Sequence, residues 1–206
     1  MQHTVIRSPY WDSRSAAETR RRISEYEKEK THRPTVVVPI VDYVGRPLVV
    51  KHATTGTWGL IQGHIEPSDK HPLAAGLREA YEEGTVIPGA VEGMFPYLGE
   101  RGLEFTGPQS FFTGYSKGGY YVFVGLKLRA GADVSVIPAP GEPPALLERR
   151  WCSSLSQAIG ILHEQPGVQS VSRQLQNKIE TVLIPAIESI YQPESSAFLE
   201  LLDQLG

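Results

Sequence analysis

Three glutamates, Glu79, Glu82 and Glu83, fall within five residues of the stretch "GHIEPSDKHPLAAGLREAYEEGT", residues 63–85, on a segment whose spacing predicts a helix. An α-helix advances about 100° per residue, so with Glu79 at zero, Glu82 lies about 60° to one side and Glu83 about 40° to the other. All three carboxylates therefore share one face. Leu73, Leu77, Ala80, Tyr81 and Gly84 fall opposite and are expected to form the buried face. Ala75 and Gly76 lie on the carboxylate side and leave room beside the acids, and Pro72 suits a first helical turn. Like charges at these spacings repel by about a few tenths of a kcal/mol per pair on an exposed helix. Full hydration, with Arg78 as a partial offset, is one way to tolerate this. A hard divalent cation among the carboxylates is the other, because Mg²⁺ takes oxygen ligands, keeps several waters and bridges carboxylates to substrate phosphates.

The 206 residues around this helix suffice for one domain with a core, or one domain with helical additions. A net charge of −3 gives no general attraction to nucleic acid or anionic lipid. The one cysteine, Cys152, cannot close an intrachain disulfide, no apolar run has membrane-spanning length, and the first residues lack a signal-peptide pattern. A cytoplasmic protein that binds neither membrane nor nucleic acid is the expectation.

Three regions follow from the pattern. Residues 1–33 read as a polar N-terminal helical extension, with Ser13 a plausible cap and Arg20, Arg21 and Arg22 on a solvated face. Residues 34–152 read as a core of strands around the acidic helix. "PTVVVPIV" and "PLVVKHA" are predicted to pair as a hairpin across the turn "DYVGR", "TGTWGLIQG" is a further extended piece, "GYYVFVGLKL" a long strand and "LLERRW" the last one. Residues 153–206 read as C-terminal helices with Pro185 as a break; their apolar faces over 154–191 are expected to pack partly on the core and partly against a second copy in a homodimer.

The motif around the helix resembles the Nudix hydrolase signature. "WGLIQG" is similar to that family's lead-in, Gly63 matches the opening glycine, Glu66-Pro67 the usual loop dipeptide, and Arg78, Glu79, Ala80, Glu82, Glu83 and Val86 the later positions. The chain departs from the pattern in having Asp69 in place of the first glutamate, eight residues instead of seven before Arg78, Thr85 in place of a glycine, and Gln62 in place of one lead-in glycine. Gly84 is expected to supply the left-handed residue that ends the helix.

The resemblance implies an α+β Nudix fold, a mixed β-sheet between helices, and a metal-dependent hydrolase that cleaves the pyrophosphate of a nucleoside diphosphate linked to another moiety. It implies Mg²⁺ or Mn²⁺ as cofactor, Glu82 and Glu83 as principal ligands, Glu79 as a further ligand or the base, and the Gly63 carbonyl in the metal shell. Arg78 enters the catalytic set as an anchor paired with Asp69. Glu100, Glu104 and Glu148 are candidate outside bases, with Glu148 foremost. His52, His64 and His71 cluster near the signature but read first as polar surface. Trp58, Phe105, Phe111 and Tyr115 could stack on a base, and specificity is expected in residues 99–119 and 129–146. A nucleotide-binding Nudix regulatory module without catalysis is the alternative. An isopentenyl-diphosphate isomerase, which shares the fold, needs a cysteine at the site, and Cys152 stands after the core.

Overall fold

The computed structural model describes residues 4–5, 13–97, 103–106, 114–135 and 144–163. The elements run β1 (Thr4–Val5), α1 (Ser13–Glu29), β2 (His32–Val38), β3 (Ile40–Val41), β4 (Leu48–His52), β5 (Trp58–Gly59), β6 (Ile61–His64), α2 (Pro72–Gly84), β7 (Val91–Tyr97), β8 (Leu103–Thr106), β9 (Gly118–Leu128), β10 (Leu146–Trp151) and α3 (Leu155–His163), with one 3₁₀ turn at Pro88–Ala90. The architecture is the mixed α+β arrangement expected. None of the described helices is long and apolar enough to cross a membrane.

The larger sheet has the order β1-β7-β9-β2-β6, with β3 and β8 also pairing with β9. Its centre is β2 against β9 in parallel, where the β-branched run Val36, Val37 and Val38 is buried on both faces. One face presents Val36, Val38, Tyr120, Val122, Val124 and Leu126 to the main core, which α2 covers through Leu73, Ala75 and Ala80, and α1 through Ile23 and Tyr26. The other face carries Val37 and Phe123 against Leu155 of α3. The smaller sheet, β10-β4-β5, splits its residues in the same way: Leu48 and Val50 join the main core, while Val49 packs with Cys152 and Ala158 towards α3.

The expected hairpin between the first two strand segments does not form as a ladder. Asp42 holds the turn by accepting from the amides of Val44 at 3.1 Å and Arg46 at 2.8 Å, and Gly45 takes a left-handed φ of 86°. Only one bridge, Val41 to Pro47, joins the two sides. Pro47 has no N–H to extend the pairing, and β4 leaves for the smaller sheet. Strands β7 and β8 were not expected: "VEGMFPY" carries Gly93 and Pro96, which argue against a strand, yet it pairs antiparallel with β9 over Val91–Tyr97. Cys152 is buried in a small apolar cluster, where a thiol serves as packing. Residues 164–206, most of the C-terminal region on which the dimer expectation rested, lie outside those described.

Candidate active site

Strand β6 is fixed on β2 by the pairs Val36 with Gly63 and Val37 with Gln62. Helix α2 then crosses close over the sheet. A Cβ on Gly76 would come within 2.9 Å of Val124, so glycine at 76 is what permits that approach. Ala75, Gly76 and Glu79 are consequently buried, whereas Tyr81 is 55% exposed. The expectation that Ala75 and Gly76 line open space and Tyr81 the core is thus corrected: the buried stripe is rotated towards the acids.

Both ends of α2 are well made. His71 is the N-cap, its Nδ1 accepting from the Ala74 amide at 3.1 Å, followed by Pro72 in the first turn. At the other end Thr85, not Gly84, takes the left-handed conformation, with φ 52°. The Thr85 amide donates to Tyr81 O at 2.8 Å, the 5→1 bond of an αL ending, and the Val86 amide donates to Ala80 O at 3.1 Å. Gly84 remains helical, and glycine is needed there for space: a Cβ would stand 3.0 Å from both Ile61 and Val134.

The helix and strand bring Glu79 down onto Gly63. Glu79 is 7% exposed, and a Cβ built on Gly63 would lie 1.9 Å from its Cδ. Arg78 organises the surroundings. Its Nη2 donates to Asp69 Oδ2 at 2.9 Å and to the His64 carbonyl at 2.7 Å, and its Nε to Asp69 Oδ1 at 3.3 Å. Its Nη1 donates to Glu79 at 2.8 Å and Glu82 at 2.9 Å. Asp69 also accepts from the Glu66 amide at 2.9 Å, which closes the loop on itself. The shorter acid and the additional residue therefore still bring Asp69 and Arg78 into a two-pronged contact.

The electrostatics differ along the trio. Burial pushes the Glu83 carboxyl up to about 7, with the charges of Glu79 and Glu82 adding to the rise and a backbone hydrogen bond from Gln62 opposing it. Its Oε2 is buried with no hydrogen-bond partner. Burial also raises Glu79, while Arg78 pulls against the rise. The Arg78 guanidinium is held firmly charged, first by its hydrogen bond to Asp69. Among the described residues no group of three or more His, Cys, Asp or Glu side chains is gathered as a metal cage. Arg78 Nη1 bonds both Glu79 and Glu82. The donor set nevertheless fits a hard cation: carboxylate oxygens, one of them buried and unpartnered, beside a main chain that a single methyl would obstruct.

The other candidates have partners outside the trio. Glu148 pairs with Lys51 at 2.9 Å across β10 and β4, in the smaller sheet. Glu104 meets Arg22 at 2.8 Å and also Tyr26. His52 Nε2 bonds Leu60 O at 3.0 Å, and Trp58 lies under the Arg150 guanidinium at 4.8 Å. His64 and Tyr115 both reach Glu27 of α1, a residue that no local sequence pattern singles out. Glu100 and Phe111, with much of the two expected specificity segments, lie outside the described residues. A cavity of about 430 Å³ opens between α1 and residues 65–72; Asp69 lines it, but Glu79, Glu82 and Glu83 do not.

The family model described as "NUDIX domain" matches residues 31–166. The chain belongs to the NUDIX domain family. This is a family of pyrophosphohydrolases acting on acid anhydrides in phosphorus-containing compounds, and its members generally use divalent metal ions. No curated protein matches this chain. Among solved structures, the Escherichia coli dihydroneopterin triphosphate pyrophosphohydrolase is similar at 16% identity, with 78% of this chain and 97% of that one covered and a TM-score of 0.50. A Caenorhabditis elegans Ap4A hydrolase matches at 17% identity over 72% of this chain and 98% of that one, TM-score 0.46. The NUDIX domain of Shewanella oneidensis NrtR, complexed with ADP ribose, matches at 16% over 76% of this chain and 97% of that one, TM-score 0.44. At the identity of the first, the likeness establishes the fold.

Proposed function

We propose that this NUDIX protein is a divalent-metal-dependent hydrolase that cleaves the pyrophosphate of a nucleoside diphosphate linked to another group. The observation that carries the reading is the buried, unpartnered Oε2 of Glu83 beside the Glu79 carboxylate that rests on Gly63. A buried carboxylate oxygen without a donor is costly unless a cation joins it. Glu82 and Glu83 are the side chains that would hold Mg²⁺ or Mn²⁺, with the Gly63 carbonyl and Glu79 as further donors. When bound, the cation neutralises diphosphate charge and makes water a better nucleophile.

The chain's own residues supply the rest. Glu79, its carboxyl raised by burial, is the chain's own candidate to receive a proton if it does not serve as a ligand. Arg78 ties the loop to the helix through Asp69 and the His64 carbonyl, so the Gly63 main chain keeps its place while substrate binds and leaves. A panel of nucleoside triphosphates, nucleotide sugars, dinucleoside polyphosphates and capped RNA, incubated with Mg²⁺ or Mn²⁺ and read by product mass, tests the proposal. Cleavage within a pyrophosphate, abolished by chelation, is the expected result. Binding of a nucleotide with no product from any substrate would instead make the protein a nucleotide-binding module.

A further inference from the structure

Helix α1 covers residues 13–29, so it lies outside the segment 31–166 that matches the family. It nevertheless touches the signature loop through one compact set of contacts. Glu27 Oε2 accepts from the Tyr115 hydroxyl at 2.6 Å and stands 3.1 Å from His64 Nε2. Tyr115 Oη is also 3.1 Å from the same His64 nitrogen. A carboxylate can only accept, so Nε2 carries the hydrogen and shares it between Glu27 and the Tyr115 oxygen. Lys30 closes the group, bonded to Glu27 and placed 5.0 Å from the centre of the Tyr115 ring. Tyr115 is 8% exposed and Glu27 18% at its side chain, so these bonds are shielded and few waters compete for them.

His64 is the residue after Gly63 and is the last of β6. Its ring is held from α1, and its carbonyl is held from α2 by Arg78 at 2.7 Å. The Ile65 amide donates to Pro34 O at 3.0 Å, the last backbone bond before the loop turns away. The point where the strand becomes the loop is thus fixed by two helices, one inside the segment that matches the family model and one outside it.

We infer that Glu27, supported by Tyr115, is a positioning residue for the candidate catalytic loop: it holds His64 and so sets the main chain of Gly63 and the anchor point of Arg78. The assignment rests on the proposed metal-dependent activity only for its kinetic consequence; the placement of the loop is independent of it. Glu27 touches neither substrate nor reacting atoms in this role. Outer partners that orient a metal-binding or catalytic group change metal affinity or activity by roughly 10- to 100-fold when removed.

The test uses the full chain and the variants Glu27→Gln and Tyr115→Phe. Amide hydrogen exchange is expected to quicken in residues 62–70 by about tenfold or more, with α2 and β9 unchanged. Mn²⁺ titrated into the substrate-free protein is expected to bind about fivefold or more weakly, and kcat to fall about tenfold with KM within about twofold. Should Glu27→Gln fail to fold, Tyr115→Phe, which keeps the ring in place, carries the same expectations. Wild-type exchange over 62–70 in the folded variant overturns the inference, as does quickening spread evenly over the chain, which would make Glu27 a general stabiliser. If the wild-type protein hydrolyses nothing, the proposed activity fails, while the exchange measurement still decides the role of Glu27.

Discussion

The carboxylate of Glu79 lies directly on the Cα of Gly63, so close that a Cβ at 63 would fall 2.0 Å from Oε2 and 2.1 Å from Oε1. Gly63 has no left-handed backbone to explain it. Its requirement is the carboxylate above it. Gly63→Ala must drive the Glu79 carboxylate aside from the position in which it meets Arg78 at 2.8 Å. The variant is expected to fold, to lose about 1–3 kcal/mol of stability as for other overpacked sites, and to fall in turnover about a hundredfold or more. Chemical denaturation and steady-state kinetics check the two parts. A fully active Gly63→Ala protein would mean that the Glu79 position does not matter.

Glu83→Gln separates stability from activity. In the folded protein the Glu83 carboxyl is pushed up to about 7 from 4.5, so between these values the native state binds a proton that the unfolded chain has released. Stability then falls as pH rises through that window and is level above it. At a partly solvated site the loss is on the order of 2 kcal/mol. Glutamine removes it. The metal-free variant is expected to be more stable than wild type at pH 8, equal to it near pH 4, and about a hundredfold slower with saturating Mg²⁺. Thermal denaturation at both pH values in chelator, with turnover measured beside it, decides. Unchanged turnover would remove Glu83 from the site.

How much of this was readable beforehand depends on sequence distance. Arg78, Glu79, Glu82 and Glu83 lie on one helix, and Asp69 is nine residues from Arg78, so local spacing brings them together. Glu27, His64 and Tyr115 meet across separations of 37, 51 and 88 residues, which no periodicity reports. The rotation of the buried stripe of α2 was hidden for a similar reason. It depends on Val124 of β9 pressing on Gly76, a contact made by the sheet rather than by the helix. The long strand β9 announced itself as an apolar run, whereas β7 was masked by its glycine and proline and exists because β9 offers it a partner.

Thr85 takes a left-handed φ of 52° at the end of α2, a conformation that costs a β-branched residue roughly 1 kcal/mol or more. Its hydroxyl recovers part of that by donating to the Gly84 carbonyl at 2.8 Å. Thr85→Gly is expected to raise stability by about 0.5–1 kcal/mol and leave turnover unchanged, because the bonds that close this helix end use only the backbone. Urea denaturation reads the change. A loss of stability would show that the hydroxyl outweighs the strain.

Asp69→Asn tests the loop anchor. Asp69 gives Arg78 two oxygens, at 2.9 and 3.3 Å, and also accepts the Glu66 amide. Asparagine keeps one carbonyl oxygen and places an NH₂ against the guanidinium, so one prong of the contact becomes a clash of donors. Arg78 retains the His64 carbonyl, Glu79 and Glu82, and α2 retains its caps, so the helix itself is not at risk. The loop that runs from Gly63 to Asp69 loses its second fixed point while the first, at His64, remains. Turnover is expected to fall about tenfold or more with only a small shift in Tm, since misplacement of a reacting group costs rate rather than folding energy. Kinetics and calorimetry on the same preparation separate the outcomes. Full activity would mean that His64 alone suffices to hold the loop, and a large fall in Tm would make Asp69 a residue of the fold.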